Sequence, residues 1–285
     1  MSKKNVYAFC NQKGGVGKTT TVINLGASLA VLGFRVLIVD MDPQGNATSG
    51  LGLDKNSIDN TAYDLLVNGF AFEDVCQKNV IKNVDIISSN SSLAGAEIEF
   101  IGFEEREFYL QRILKKIQDN YDFIFIDCPP SLGLLTINSL VAADRLMIPL
   151  QCEYYALEGL GQLLDTYNLI QERLNNDLEM YGVIMTMADF RTKLTDQVIK
   201  EVKNYFNEKV FSSIIPRSIK LSEAPGFGKP AIQYAPTSRG VFQYQLLAEE
   251  LLERLGLSYS YLDDSKADAL SKKAQAVSAT GNMEG

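Results

Sequence analysis

Histidine is absent from all 285 positions of the sequence. Mechanisms that need imidazole are thereby excluded, among them Ser-His-Asp and Cys-His nucleophiles and histidine-ligated metals. Acid–base work has to fall to carboxylates, lysines or water. Cysteine is scarce as well. Cys10, Cys76, Cys128 and Cys152 include no C-x-x-C pair, so the spacing of zinc ligands is missing. Cys10, Cys128 and Cys152 end apolar runs, which marks them as small buried thiols of a reducing compartment. No stretch of about 20 apolar residues exists, and no transmembrane helix is expected. The apolar run at 6–10 is shorter than a secretory-signal core and leads into a motif rather than a cleavage site, so a cytoplasmic location is expected.

An excess of basic residues is missing too. The net charge is −8, which excludes a uniformly basic nucleic-acid footprint. The charge is uneven, however. Residues 189–229 hold eight Lys or Arg against five acids, a local +3. Charge alone fits either a basic binding surface or a solvated face.

What is present is ordinary globular material, 46% hydrophobic and 22% charged, long enough to bury a large core. Short apolar runs recur at 6–10, 36–39, 84–87, 123–126, 146–150 and 182–187. Unbroken apolar runs of this length suit strands buried on both faces. Amphipathic stretches separate them at 18–32, 104–118, 134–142, 157–174, 193–206 and 241–255. The alternation predicts an α/β domain: a doubly wound, mostly parallel sheet flanked by helices, spanning 1–258 as one domain. Residues 41–60 and 216–238 are rich in turn formers and read as irregular. Residues 263–285 lack aromatics and are dominated by Ala, Ser, Lys and Asp, and a disordered tail is expected over 259–285. In such sheets ligands bind at the carboxyl ends of the strands.

Three motifs fall at those ends. Residues 10–20, Cys-Asn-Gln-Lys-Gly-Gly-Val-Gly-Lys-Thr-Thr, follow a strand and open a helix, the context of a P-loop NTPase phosphate loop. Glycines let the backbone turn its amides inward, and the helix N-terminus adds positive potential. Gly14, Gly15, Val16, Gly17, Lys18, Thr19 and Thr20 would cradle a nucleoside triphosphate. Lys18 would reach its β and γ phosphates, and Thr19 would offer a hydroxyl to magnesium. The usual first glycine is replaced by Gln12, and Lys13 precedes the glycine pair. In the second motif, four apolar residues deliver Asp127 at a strand end, where it could hold magnesium, usually through water, or cap the following helix. In the third, Asp40 and Asp42 leave one strand at i and i+2, followed by Pro43. A carboxylate there could orient and deprotonate an attacking water, or serve turn chemistry.

Together these motifs resemble the ParA/MinD family of deviant-Walker ATPases over roughly 5–255, with the strongest likeness to its chromosome-partitioning ParA (Soj) branch. The residues that carry it are Lys13-Gly-Gly-Val-Gly-Lys-Thr-Thr, Asp40-Met-Asp-Pro-Gln-Gly-Asn, Asp127-Cys-Pro-Pro-Ser and Pro216-Arg-Ser-Ile-Lys-Leu-Ser-Glu-Ala-Pro. The resemblance implies an ATP- and Mg2+-dependent homodimer that sandwiches nucleotide. Lys13 would reach the partner's phosphates as a catalytic cation, with Lys18 and the hydrolytic carboxylate Asp42. Asp40, a switch position, would join Thr19 and Asp127 in the metal set. Pro216 and Arg217 would help hold the nucleotide, in a site involving the turn at 186–191 and the loop at 216–224. Arg191, Arg217 and Lys220 match positions that bind double-stranded DNA without sequence preference, which implies association with the nucleoid. A ParB-type centromere-binding protein would stimulate slow hydrolysis. The longer members carry an N-terminal DNA-reading domain, but here the motif begins at residue 10, and operator binding is not expected. The last helix is acidic on its polar side, so no membrane partner is expected. The alternatives are a MinD-like ATPase positioning a protein cluster or acting at a membrane, and a metabolic enzyme of the same superfamily.

Overall fold

The computed structural model describes residues 4–260 except Tyr155. The first three residues of the expected domain, and the expected tail from residue 261 onward, lie outside the described residues. In chain order the elements are β1 (Val6–Phe9), α1 (Lys18–Val31), β2 (Val36–Asp40), α2 (Asn46–Gly50), α3 (Ala62–Leu66), α4 (Phe72–Val75), β3 (Cys76–Ile81), β4 (Val84–Ile87) and α5 (Leu93–Glu99). They continue with α6 (Tyr109–Ile117), β5 (Phe123–Asp127), α7 (Leu134–Ala142), β6 (Arg145–Gln151), α8 (Gly161–Arg173), β7 (Glu179–Thr186), α9 (Lys193–Phe206), α10 (Ile219–Glu223), α11 (Ala231–Tyr234) and α12 (Arg239–Arg254).

The strands form one seven-stranded sheet in the order β3-β4-β2-β5-β1-β6-β7. All pairings are parallel except β3 with β4. β1, β2 and β5 are buried along their whole length. Their side chains alternate between two cores. Val6, Ala8, Leu37, Val39, Ile124 and Ile126 join the core under α3 and α5 to α9. Tyr7, Phe9, Val36, Ile38, Phe123 and Phe125 join the core under α1 and α12. Burial on both faces explains why these strands are unbroken apolar runs rather than alternating ones.

α1 lies between the sheet and α12, so it is buried on nearly every side. Its polar side chains find partners inside the protein. Asn24 Nδ2 donates to the Thr20 carbonyl (2.8 Å), Asn24 Oδ1 accepts from the Ala231 amide (2.8 Å), and the Thr21 and Tyr244 hydroxyls pair at 3.0 Å. A buried helix tolerates polar residues only when they are satisfied in this way.

The structure differs from the sequence reading in several places. The segment 41–60 contains α2, and 216–238 contains α10 and α11. The helix expected from 104 starts at Tyr109 after a single 3-10 turn, and that expected from 157 starts at Gly161. β3 was not expected at all. Its sequence, Cys-Gln-Lys-Asn-Val-Ile, is polar because it is an antiparallel edge strand with Lys78 and Asn79 exposed and Gln77, Val80 and Ile81 half-buried.

Leu247 is fully buried in α12 against the second core. Leu247→Ala should lower stability by about 2–5 kcal/mol through lost burial and the cavity left behind. Denaturant unfolding should show an earlier midpoint with an unchanged slope.

Candidate active site

The carboxyl ends of β1, β2 and β5, three neighbouring strands, bring the three motifs together. Asp40 and Asp127 stand directly opposite each other in the β2–β5 register, and Phe9, which precedes the phosphate loop, stands opposite Asp127 from β1.

The loop between β1 and α1 is fixed from both sides. The Asn11 amide donates to the Pro149 carbonyl at the end of β6 (2.8 Å), and the Thr186 hydroxyl donates to the Val16 carbonyl from β7 (2.7 Å). Gly15 and Gly17 have φ of 75° and 88°, the left-handed region that L side chains avoid. A Cβ at Gly14 or Gly15 would meet nothing within 4 Å, so the space above this part of the loop is open. Val16 and Lys18 are buried, and Thr19 and Thr20 are half-buried.

Asp127 is fully buried, and neither of its oxygens has a hydrogen-bond partner. Burial raises its pKa well above the usual carboxylate range, and the Asp40 charge adds to this. The Thr19 hydroxyl and the Lys18 ammonium oppose the shift; Thr19 is near enough to act without reaching hydrogen-bonding geometry. α7 takes Gly133 as its N-cap, with no side-chain cap, so Asp127 is not a capping residue. An orphaned, desolvated carboxylate beside a threonine hydroxyl and a lysine fits a divalent cation. Among the described residues no group of three or more His, Cys, Asp or Glu forms a preformed cage. That suits magnesium, which keeps water and phosphate oxygens and takes one or two carboxylates.

Asp40 is also fully buried but has its partners. Its Oδ2 accepts from the Thr48 amide (2.9 Å) and hydroxyl (2.7 Å), and its Oδ1 accepts from the Asp42 amide (3.2 Å). Burial pushes its pKa up to about 6 even though these bonds favour the charged form. Asp40 therefore braces the loop that carries Asp42. The Thr48 hydroxyl also accepts from the Ser89 amide (2.9 Å), and the Ser89 hydroxyl donates to the Asp42 carbonyl (2.8 Å). The sequence reading missed the bracing roles of Asn11, Thr48 and Ser89 and placed Thr186 only in a nucleotide-site turn, because hydrogen-bond partners this far apart leave no local pattern.

Lys13 is exposed, and its ammonium bonds Glu153 at 2.7 Å. Arg217 approaches the other oxygen of Glu153 at 3.9 Å. An isolated bridge between Ala188 and Pro216 brings the 216 loop against the end of β7. There Pro216 and Arg217 join Gly17, Thr20, Thr186 and Tyr244 around a cavity of about 230 Å³. Arg191 is exposed and holds Asp189 through two nitrogens (2.8 and 2.6 Å), and that hydrogen-bonded pair lowers the Asp189 pKa to about 2. Lys220 pairs with Glu223 at 2.9 Å. Arg191, Arg217 and Lys220 are all exposed, and each lies beside an acid of its own chain.

Residues 4–180 match the AAA domain family. The chain is 56% identical over 246 residues to the sporulation initiation inhibitor protein Soj of Bacillus subtilis, covering 86% of this chain and 97% of that protein. It is 49% identical over 249 residues to the chromosome partitioning protein ParA of Myxococcus xanthus, covering 87% and 88%. Among solved structures it resembles cobyrinic acid a,c-diamide synthase from Mycobacterium smegmatis with bound ADP and magnesium, at TM-score 0.78 and 35% identity over 91% of this chain and 99% of that one. It also resembles the cell division ATPase MinD of Pyrococcus furiosus, at TM-score 0.70 and 26% identity over 88% and 99%.

Two outcomes are expected of this geometry. A carboxyl whose folded pKa lies above its unfolded value takes stability from the fold as pH rises out of the acid range, so Asp127 is a cost to the fold at pH 8. Asp127→Asn should raise the thermal midpoint of the nucleotide-free protein and shrink the further rise given by ATP with magnesium. A lowered midpoint without nucleotide would contradict this account. Thr48→Val, which deletes the shared hydroxyl, should lower kcat for ATP about tenfold by loosening the Asp42 loop. KM should change little, and Thr48→Ser should recover most of the rate.

Proposed function

Because this chain belongs to the ParA/MinD family of P-loop ATPases, we propose that it is an ATP-hydrolysing switch that partitions DNA. The observation that carries the reading is the convergence of Asp40, Asp42 and Asp127, at the ends of two adjacent strands, on the open, braced loop that ends in Lys18. Identity of 56% to a Soj protein, against 35% to the diamide synthase, favours partitioning over a metabolic reaction.

In this reading the amides of residues 14–20 and the Lys18 ammonium hold the triphosphate. Magnesium, when bound, neutralises charge on the phosphate oxygens. Thr19 and Asp127 would hold it, with Asp40 behind them fixing the loop at 41–48. Asp42, buried at the mouth of the site, orients the attacking water. The cavity edged by Pro216 and Arg217 accepts the base.

Lys13 supplies its cation to the nucleotide of a second copy, so hydrolysis waits on dimerisation. Two copies of the region bearing Arg191, Arg217 and Lys220 give a face that binds duplex phosphates without reading sequence. Doubling the phosphate contacts makes binding steeply salt-dependent. A ParB-type protein raises the slow hydrolysis rate and releases the dimer from the nucleoid. No described helix is long and apolar enough to cross a membrane. The polar side of α12 carries Glu249, Glu250 and Glu253, which anionic lipid repels.

The test is retention on DNA of arbitrary sequence with ATP, ADP or no nucleotide. Wild type should be retained only with ATP, Arg217→Glu should not be retained, and Asp42→Ala should persist as an ATP-loaded dimer with little turnover. Retention that ignored both nucleotide and Arg217, or normal turnover by Asp42→Ala, would end the reading. Pelleting with anionic liposomes instead of DNA would point to a membrane-positioning ATPase.

A further inference from the structure

α5 and the 3-10 turn that continues it (Phe100–Gly102) have two unlike sides. Leu93, Ala96 and Phe100 point into the first core and are fully buried. On the other side Ile98 and Ile101 are 72% and 70% exposed. They are three residues apart, so they share one face. Single exposed apolar residues are ordinary, but two large ones side by side on a well-anchored element mark a contact surface.

The rim of this face is acidic. Glu107 pairs with Arg106, Glu105 pairs with Arg112 and Glu97 turns inward over Gly133, so the exposed Glu99 and Glu104 supply the acid beside Ile98 and Ile101. That charge repels nucleic acid and anionic lipid. It also disfavours a symmetric contact with a second copy, which would bring the same acids together. An apolar centre with an acidic rim complements a basic polypeptide segment that carries apolar anchors.

The face is also tied to the active site. Glu97 fills the space over Gly133, in the loop that runs from Asp127 to α7. The Asn138 amide of α7 donates to the Arg106 carbonyl (2.9 Å), and its oxygen accepts from the Leu110 amide (3.3 Å). Load on α5 therefore reaches the Asp127–α7 loop through Glu97 and Gly133, while α7 is tied separately to residues 106 and 110.

We propose that the Ile98/Ile101 face is the docking surface for a basic, apolar-anchored segment of the stimulating partner, and that docking there raises turnover by acting on the Asp127 loop. This rests on the partitioning reading above.

The test uses the full chain and the ParB-type protein of the same genome, and measures direct binding and ATPase stimulation in parallel. The variants are Ile98→Ser/Ile101→Ser and Glu99→Lys/Glu104→Lys. All four positions are exposed, so folding and basal turnover should stay within roughly twofold of wild type. Loss of the paired isoleucines should weaken binding about tenfold or more, and stimulation with it. The charge reversal should weaken both, most strongly at low salt. Equal binding and stimulation of wild type and both variants would overturn the proposal. So would a dimer of the chain alone that Ile98→Ser/Ile101→Ser abolishes, which would assign the face to a second copy. Binding that is lost in the variants without any stimulation of wild type would keep the docking surface and remove the partner-stimulated hydrolysis. No binding to wild type would remove both.

Discussion

Charge held away from water governs this molecule. Asp40 and Asp127 are buried at the ends of adjoining strands, and Lys18 is buried where the phosphate loop opens α1. Asp40 has hydrogen-bond donors and Asp127 has none. An ionised carboxylate without partners in a low-dielectric interior costs several kcal/mol. The fold can carry that cost because β1, β2 and β5 are packed on both faces by two large cores. A ligand that brings phosphates and a divalent cation supplies the missing partners, and by mass action stabilises the state that binds it. The site is therefore poised for a polyanion with its metal rather than for a neutral substrate.

The same burial explains what could be read from the sequence. A strand enclosed on both faces stays apolar until it reaches the sheet edge, so the first polar residue after each run stands out. Asp40, Asp127 and the phosphate loop were visible for that reason. The parallel order followed from helices alternating with such runs. β3 escaped because an exposed edge strand has no such run. α2, α10 and α11 escaped because helices of four or five residues have too few turns to show a period. The braces were invisible for a different reason. Thr186 and Val16 are 170 positions apart, and Ser89 and Thr48 are 41 apart. Their pairing is set by strand order, which no local pattern encodes.

The surface cations show a second constraint. Lys13, Arg191, Arg217 and Lys220 all rest beside acids of their own chain. Exposed ion pairs of this kind contribute about 0–1 kcal/mol. They mask positive charge on an acidic protein while leaving it available to a better anion. Phosphate is such an anion, because its charge-assisted bonds are stronger and more numerous than those to one solvated carboxylate.

Glu153 gives that exchange a direction. It takes Lys13 on one oxygen and faces Arg217 with the other, so two cations with different proposed tasks converge on one carboxylate. In the proposed cycle Lys13 leaves for the phosphates of a second copy, while Arg217 edges the base cavity and the DNA-facing region. Once Lys13 has left, Glu153 carries more uncompensated charge, and it draws more strongly on Arg217 and on the Gln151 amide that also bonds it. In that cycle nucleotide state and the position of a surface arginine would be coupled through one side chain. The coupling is bounded by the strength of exposed pairs, so it can tune the exchange but cannot drive it. The larger free energy has to come from the buried Asp127 carboxyl and Lys18 ammonium, where water is excluded and each compensating contact counts for more.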